Sequence, residues 1–229
     1  MLVQCETQDG TCGEGWALAE RWLRAETLES LVELNELCLG LFAEQAAVRG
    51  SQPSLLLRQV GELWRVLDAA ARRRAAACPY LLVDAGFADP QRWRQPVALG
   101  VGDTGEGAYS TFFTVPGATE VARLVFTYAW HLARAHGAAA RLLLGMSAPC
   151  AALIAQLSLH QIHSLAQTHQ AWLRPRWPAR VQVWRELLLA AASGEAPVLE
   201  RARLHGLTLL AADARGALPE RADAGALAP

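Results

Sequence analysis

The chain has 229 residues, 52% of them hydrophobic and 19% charged, with a formal net charge of -1. That balance excludes a wholly disordered chain and predicts a sizeable core. Ala (44) and Leu (37) dominate, Val and Ile are sparse, and all 21 basic residues are Arg, a composition that favours helices over a large sheet.

The first dozen residues are polar and carry no basic n-region or apolar h-region, so no secretory signal is expected. Glu14 to Ala25 places Trp16, Ala19, Trp22 and Leu23 at helical spacing. From about Thr27 to Val48, Leu28, Leu31, Leu34, Leu37 or Cys38, Leu41 and Phe42 share one stripe, an amphipathic helix closed by Arg49-Gly50. Ser51-Gln52-Pro53-Ser54 opens another helix. Its stripe is Leu56, Val60, Leu63 or Trp64, Leu67 and Ala71, and it is expected to run through Arg72-Arg73-Arg74 to Cys78-Pro79. Three Arg near a helix C-terminus suit the macrodipole better than they suggest a nucleic-acid patch.

Between Pro79 and about Pro116 the texture changes. Asp84-Ala85-Gly86 and Asp89-Pro90 read as turns, and the stretch reads as a linker or a small irregular cap. Gly100-x-Gly102-x-x-Gly105 matches a dinucleotide fingerprint in letters, but it follows no convincing strand and enters no helix, which argues against a nucleotide site. Helix returns at about Gly117, with Val121, Leu124, Val125, Tyr128, Leu132 and Ala135 on one face, and is expected to reach Leu144. Leu142 to Leu159 is apolar, but Gly145, Ser147, Pro149, Gln156 and Ser158 interrupt it, so it predicts two short helices and no membrane span.

Residues 121–185 hold seven Arg, five His and no Asp or Glu, whereas residues 1–120 hold 16 acids against 10 Arg. Such an acid-free stretch suits a polyanion or an acidic partner; the alternative is a buried segment poor in charge. Within it, Ser147 is a candidate N-cap, with Pro149 in the first turn. Ser158-Leu159-His160-Gln161 fits a capping box. The second helix puts Leu159, Ile162, Leu165, Ala166 and His169 inward and His160, His163, Ser164, Gln167 and Gln170 outward. Two short helices joined tightly near residues 147–170 resemble a helix-turn-helix, and a plain αα-hairpin fits equally. Gln161, His163, Ser164 and Gln167 are the candidate base-contacting residues. Arg174, Arg176, Arg180 and Arg185, interleaved with Trp172, Trp177 and Pro, are the candidate phosphate contacts. The alternative is that the Trp rings pack inward while the Arg heads snorkel to water. A helix on Val181, Trp184, Leu188 and Ala191 follows, then a last one from about Ala196 to Ala212, then a disordered tail from Asp213.

The run Leu144-Gly145-Met146, Leu153-Ile154-Ala155-Gln156-Leu157-Ser158-Leu159-His160-Gln161-Ile162 and Leu165-Ala166-Gln167-Thr168-His169-Gln170 resembles the FlhD family, a subunit of the flagellar transcriptional activator. His169 stands where that family usually has Asn. The resemblance covers about residues 120–190 and implies an all-helical dimer that joins a zinc-containing partner, FlhC, to bind DNA. It implies transcriptional regulation without fixing flagellar genes as the target.

The expected architecture is therefore an all-α multi-helix bundle: a helical region with a Gly-rich linker over 1–115, an FlhD-like helical domain over 116–212, and the tail over 213–229. The expected activity is DNA binding as a homo-oligomer, alone or with an FlhC-like partner. The alternative is an adaptor that binds an acidic protein. His131, His136, His160, His163 and His169 lack the Cys or carboxylates that would complete a metal site, except Cys150, so neither metal nor cofactor is expected. No acid stands in the His-rich segment to orient a base, so catalysis is not expected. The five cysteines form no CxxC, and reduced thiols in the cytoplasm are the expected state.

Overall fold

A computed structural model describes residues 25–48, 54–98 and 111–216. Residues 14–24 of the expected first helix, the Arg49-Gly50 cap and the Gly100 to Gly105 fingerprint lie outside these residues. The described chain is an all-α bundle. In chain order it has α1 (Ala25–Ala47), α2 (Leu55–Val66), α3 (Ala69–Ala76), β1 (Val83–Asp84), α4 (Pro90–Ala98), α5 (Ala118–Ala135), α6 (Gly137–Leu144), α7 (Ala148–Gln156), α8 (Leu159–Thr168), a 3-10 turn (Gln170–Trp172), β2 (Arg174–Pro175), α9 (Val181–Ser193) and α10 (Ala196–Gly216).

The Leu-rich stripe becomes α1, which buries Leu31, Leu34, Cys38, Leu41 and Phe42 and leaves Leu37 exposed. The expected second helix is two. Ser54 caps α2 by accepting from Leu57 N, Leu67 is extended, and Asp68 restarts the chain as α3 by accepting from Ala71 N at 2.6 Å. The apolar stripe survives this break because Leu67 and Ala71 stay buried. An aspartate followed by Ala-rich sequence is a start signal that an unbroken stripe obscures. Likewise the helix expected to reach Leu144 breaks at His136, whose φ of -151° and ψ of 73° separate α5 from α6. Asp89-Pro90 is a helix start and not a turn: Asp89 Oδ1 accepts from Gln91 N and Arg92 N at the head of α4.

The expected linker or cap at residues 80–93 is instead central. Tyr80, Leu81, Leu82, Val83, Phe87 and Trp93 are buried. A buried irregular segment must satisfy its own backbone, and here the partners are identifiable. Leu81 N donates to Leu143 O, Arg176 N donates to Leu82 O, and Ser147 N donates to Phe87 O, each at 2.9 Å. Antiparallel pairing joins Val83 to Pro175 and Asp84 to Arg174. Two buried side chains supply most of the rest. Asn35 of α1 donates to Ala76 O and Tyr80 O and accepts from Leu82 N. Arg176 donates to Leu81 O, Val83 O and Leu144 O.

Two aromatic clusters anchor the helices around this segment. Phe42, Trp64 and Trp184 tie α1, α2 and α9, with ring centroids 4.9–5.4 Å apart. Trp93 touches Phe87, Phe126 and Trp172 and so ties α4 to α5 and the 3-10 turn. The apolar core is continuous from Leu31 to Leu210. The last helix extends past Ala212 to Gly216, and Trp177 Nε1 donates to Asp213 there. No helix among the described residues is long and apolar enough to cross a membrane.

Candidate nucleic-acid interface

The paired helices form as their sequence predicts. Ser147 caps α7 by accepting from Cys150 N, with Pro149 in the first turn. Leu157 is extended, and Ser158 then starts α8 with both halves of the capping box present. The hairpin is fixed to α5 by Trp130, whose indole N–H donates to Leu157 O at 2.7 Å. Ile162, Leu165 and Ala166 are the buried face of α8, and Ile154 is buried on α7. Leu159, expected to point inward, is 45% exposed. It sits in the first turn, where the core contact is made by Leu157 just before it.

The four candidate base-contacting residues share this hairpin but differ in freedom. Gln161 and Gln167 are exposed; His163 and Ser164 are half-buried. Gln161 Oε1 accepts from Ser158 N at 2.8 Å, so its carbonyl is committed to the cap and only its amide N–H groups face outward duties. The Ser164 carbonyl accepts from the Thr168 hydroxyl. Gln170, also expected outward, is half-buried and accepts from the Thr119 hydroxyl of α5.

The four candidate phosphate contacts are dispersed by the fold. Arg176, expected to contact phosphate, is instead 6% exposed; its guanidinium donates to three main-chain carbonyls and lies 5.9 Å from the centroid of the Trp177 ring. It cannot reach a phosphate without dismantling the centre of the molecule. Burial pushes its guanidinium pKa down, with Asp84 and Asp213 acting the other way. Arg174 is half-buried, and its Nε lies 3.9 Å from Asp84 Oδ2. The absence of acid in the local sequence therefore does not leave it uncompensated, because β1 brings a carboxylate from 90 residues away. Arg180 and Arg185 are exposed. Arg180 stands at the N-cap of α9 and Arg185 within it; α9 packs on α2, α3 and α10, whereas α8 packs on α5.

One cation at the hairpin escaped the sequence reading. Arg134 of α5 is exposed, with its guanidinium 5.0 Å from the centroid of the Trp130 ring. Trp130 also holds the hairpin turn, so Arg134 is placed at that turn. The signal was present as an aromatic and a cation four residues apart on one helix, a spacing that stacks the two side chains. Among the described residues no three His, Cys, Asp or Glu side chains gather in a metal-binding group. Cys38, Cys78 and Cys150 are buried free thiols, and burial raises the Cys150 pKa to about 11. A thiol so protonated is not a reactive nucleophile.

His169 ends α8 and stacks on Trp172, with centroids 4.6 Å apart and planes at 17°. Burial pushes its pKa below the ordinary 6.5. The fold thus favours the neutral ring, so this stability is present above about pH 6.5 and is lost as pH falls through that value toward the folded pKa. His169→Phe, which keeps a stacking ring, is expected to remove this part of the acid dependence. Urea midpoints at pH 7.5, 6.5 and 5.5 measure it; an identical slope in the variant sinks the assignment.

Residues 124–216 match the family model of FlhD, the flagellar transcriptional activator. The match begins within α5 and ends with α10, so it takes in the hairpin, the basic run and both closing helices, beyond the 120–190 span first recognised. It covers less than half of the chain. No curated protein and no solved structure matches.

Proposed function

We propose, from the FlhD-family match of residues 124–216, that this protein is a transcriptional regulator that binds duplex DNA as part of an oligomer, with or without an FlhC-like partner. It acts by binding and not by catalysis. The observation that carries the reading is the hairpin of α7 and α8 within the matched segment. Its outer face offers Gln161, His163, Ser164 and Gln167 with no carboxylate to repel phosphate. Arg134 at the hairpin turn, Arg180 at the N-cap of α9 and Arg185 within α9 are exposed cations of the matched segment available to meet the backbone.

The test is a salt titration of binding to one duplex. Replacing Arg180 and Arg185 by Ala is expected to weaken binding to all sequences alike and to flatten the dependence of log K on log salt by about two, one unit per lost phosphate contact. Gln167→Ala is expected to alter preference among sequences more than total affinity. An unchanged slope refutes the phosphate role of α9.

One structural observation favours the second reading, an adaptor for an acidic protein partner. Two of the four Arg in the basic run, Arg174 and Arg176, are held by residues of the N-terminal half. Failure to bind duplex DNA at low salt, both alone and with an FlhC-like partner, would overturn the first reading and favour the second.

A further inference from the structure

Outside the FlhD-matched segment, a groove of about 570 Å³ opens between α1, α3 and the start of α5. Its α1 wall carries Glu36, Gly40 and Glu44 at four-residue spacing, so the three lie in one row on the helix. Leu37 rises beside the row and is 47% exposed. Gly40 is unusual. A glycine inside a helix costs stability relative to alanine, yet a Cβ at Gly40 would meet nothing within 4 Å. Packing within the protomer therefore gives no reason for it. At Gly61, by contrast, an added Cβ would come 3.3 Å from the Ala46 methyl.

The charges of the groove differ along its length. At one end Glu33 and Glu36 stand with Arg72 and Arg73; Glu36 pairs with Arg73 at 3.1 Å, and Arg72 has no carboxylate at ion-pair distance among the described residues. At the other end Glu44 stands against Gly117, with no cation at ion-pair distance among the described residues. Reversing the row about Gly40 exchanges these two ends. A second copy laid antiparallel would thus bring each Glu44 to the other's Arg72 and Arg73, and each Leu37 over the gap left by the other's glycine.

We propose that this groove is a two-fold interface between copies of the chain, with α1 crossing α1 at Gly40. Such an interface is self-complementary, as closed two-fold assembly requires. Rows at four-residue spacing interdigitate in the commonest helix-crossing class, and glycine at the crossing lets the backbones approach. The interface lies in the N-terminal half and does not depend on DNA binding; it locates the self-association that the regulatory reading assumes.

Sedimentation of the full chain without DNA tests it. The wild type is expected to be a dimer, and Gly40→Arg to weaken dimerisation by at least about 100-fold with unchanged circular dichroism. Glu44→Arg and Arg73→Glu are each expected to weaken the dimer, and an equimolar mixture of the two variants to restore it, since the mixed pair places opposite charges at both ends. Both positions are exposed, so these variants carry the test even if Gly40→Arg misfolds. A wild-type monomer overturns the proposal and leaves the groove to a foreign helix. A dimer indifferent to all three substitutions, or a mixture that stays monomeric, places the self-association elsewhere and leaves the DNA-binding reading intact.

Discussion

Arg176→Met is expected to destabilise the protein by about 3–4 kcal/mol, the scale for stranding several buried polar groups at once. The guanidinium fork satisfies Leu81 O, Val83 O and Leu144 O, which come from β1, its approach and the end of α6. Met fills a similar volume and donates to none of them. Part of the cost is offset, because the variant no longer buries a charge. Lys keeps the charge as a point donor without the planar fork, so Arg176→Lys should recover only part of the loss. Urea unfolding measures the change as a lower midpoint at unchanged slope. A loss under about 1 kcal/mol would mean that the three carbonyls find other donors. The same experiment separates stability from binding. If DNA affinity falls in this variant, it should fall with the folded fraction and leave the salt slope unaltered.

Asn35→Ala is the second large expected effect, about 2–4 kcal/mol from unpaired groups and a small cavity. Asn35 is fully buried in the middle of α1. Its amide nitrogen lies 3.0 Å from Ala76 O and 2.9 Å from Tyr80 O, and its carbonyl oxygen lies 2.9 Å from Leu82 N. It therefore fastens the end of α3 and the central segment to α1. Asn35→Asp is the sharper variant near neutral pH: a carboxylate still accepts from Leu82 N but faces two carbonyls with no proton to give. Its deficit relative to Asn should shrink as pH falls and the carboxyl protonates, because a protonated carboxyl can donate to one of the two. Thermal melts at pH 7 and pH 4.5, each against wild type, test this. A deficit that grows on acidification contradicts the assigned bonding.

These two residues mark where sequence reasoning stops. Asn35 is one polar residue in a Leu-rich stripe, and nothing in its neighbourhood announces three partners 41 to 47 residues away. Arg176 sits in a run of Arg, Trp and Pro whose local chemistry suits phosphate, and it turns inward to the carbonyls of residues 81, 83 and 144, which require a donor. Gln45 is a third case: its amide meets Thr114, tying the end of α1 to the approach to α5.

The sequence by itself determined what depends on neighbours within a few residues. The Ala/Leu composition set an all-helical fold. The spacing of apolar residues located α1, α5 and α9, and Ser147, Pro149 and Ser158-x-x-Gln161 set the limits of α7 and α8, because a cap needs only a side chain and an N–H three residues on. The FlhD resemblance rested on that same local pattern. The tertiary structure alone decided the break at His136 inside a continuous apolar stripe; the starts at Asp68 and Pro90 carried local signals, an aspartate that accepts from the N–H three residues on, which the apolar stripe and the apparent loop obscured. The tertiary structure alone also decided the fate of Arg174 and Arg176. Whether Arg174 finds Asp84 or Arg176 three carbonyls is set by which distant segments meet, whereas the Arg134–Trp130 pair follows from their spacing on one helix. An acid-free stretch of sequence does not determine an acid-free environment, because the compensating groups arrive through space.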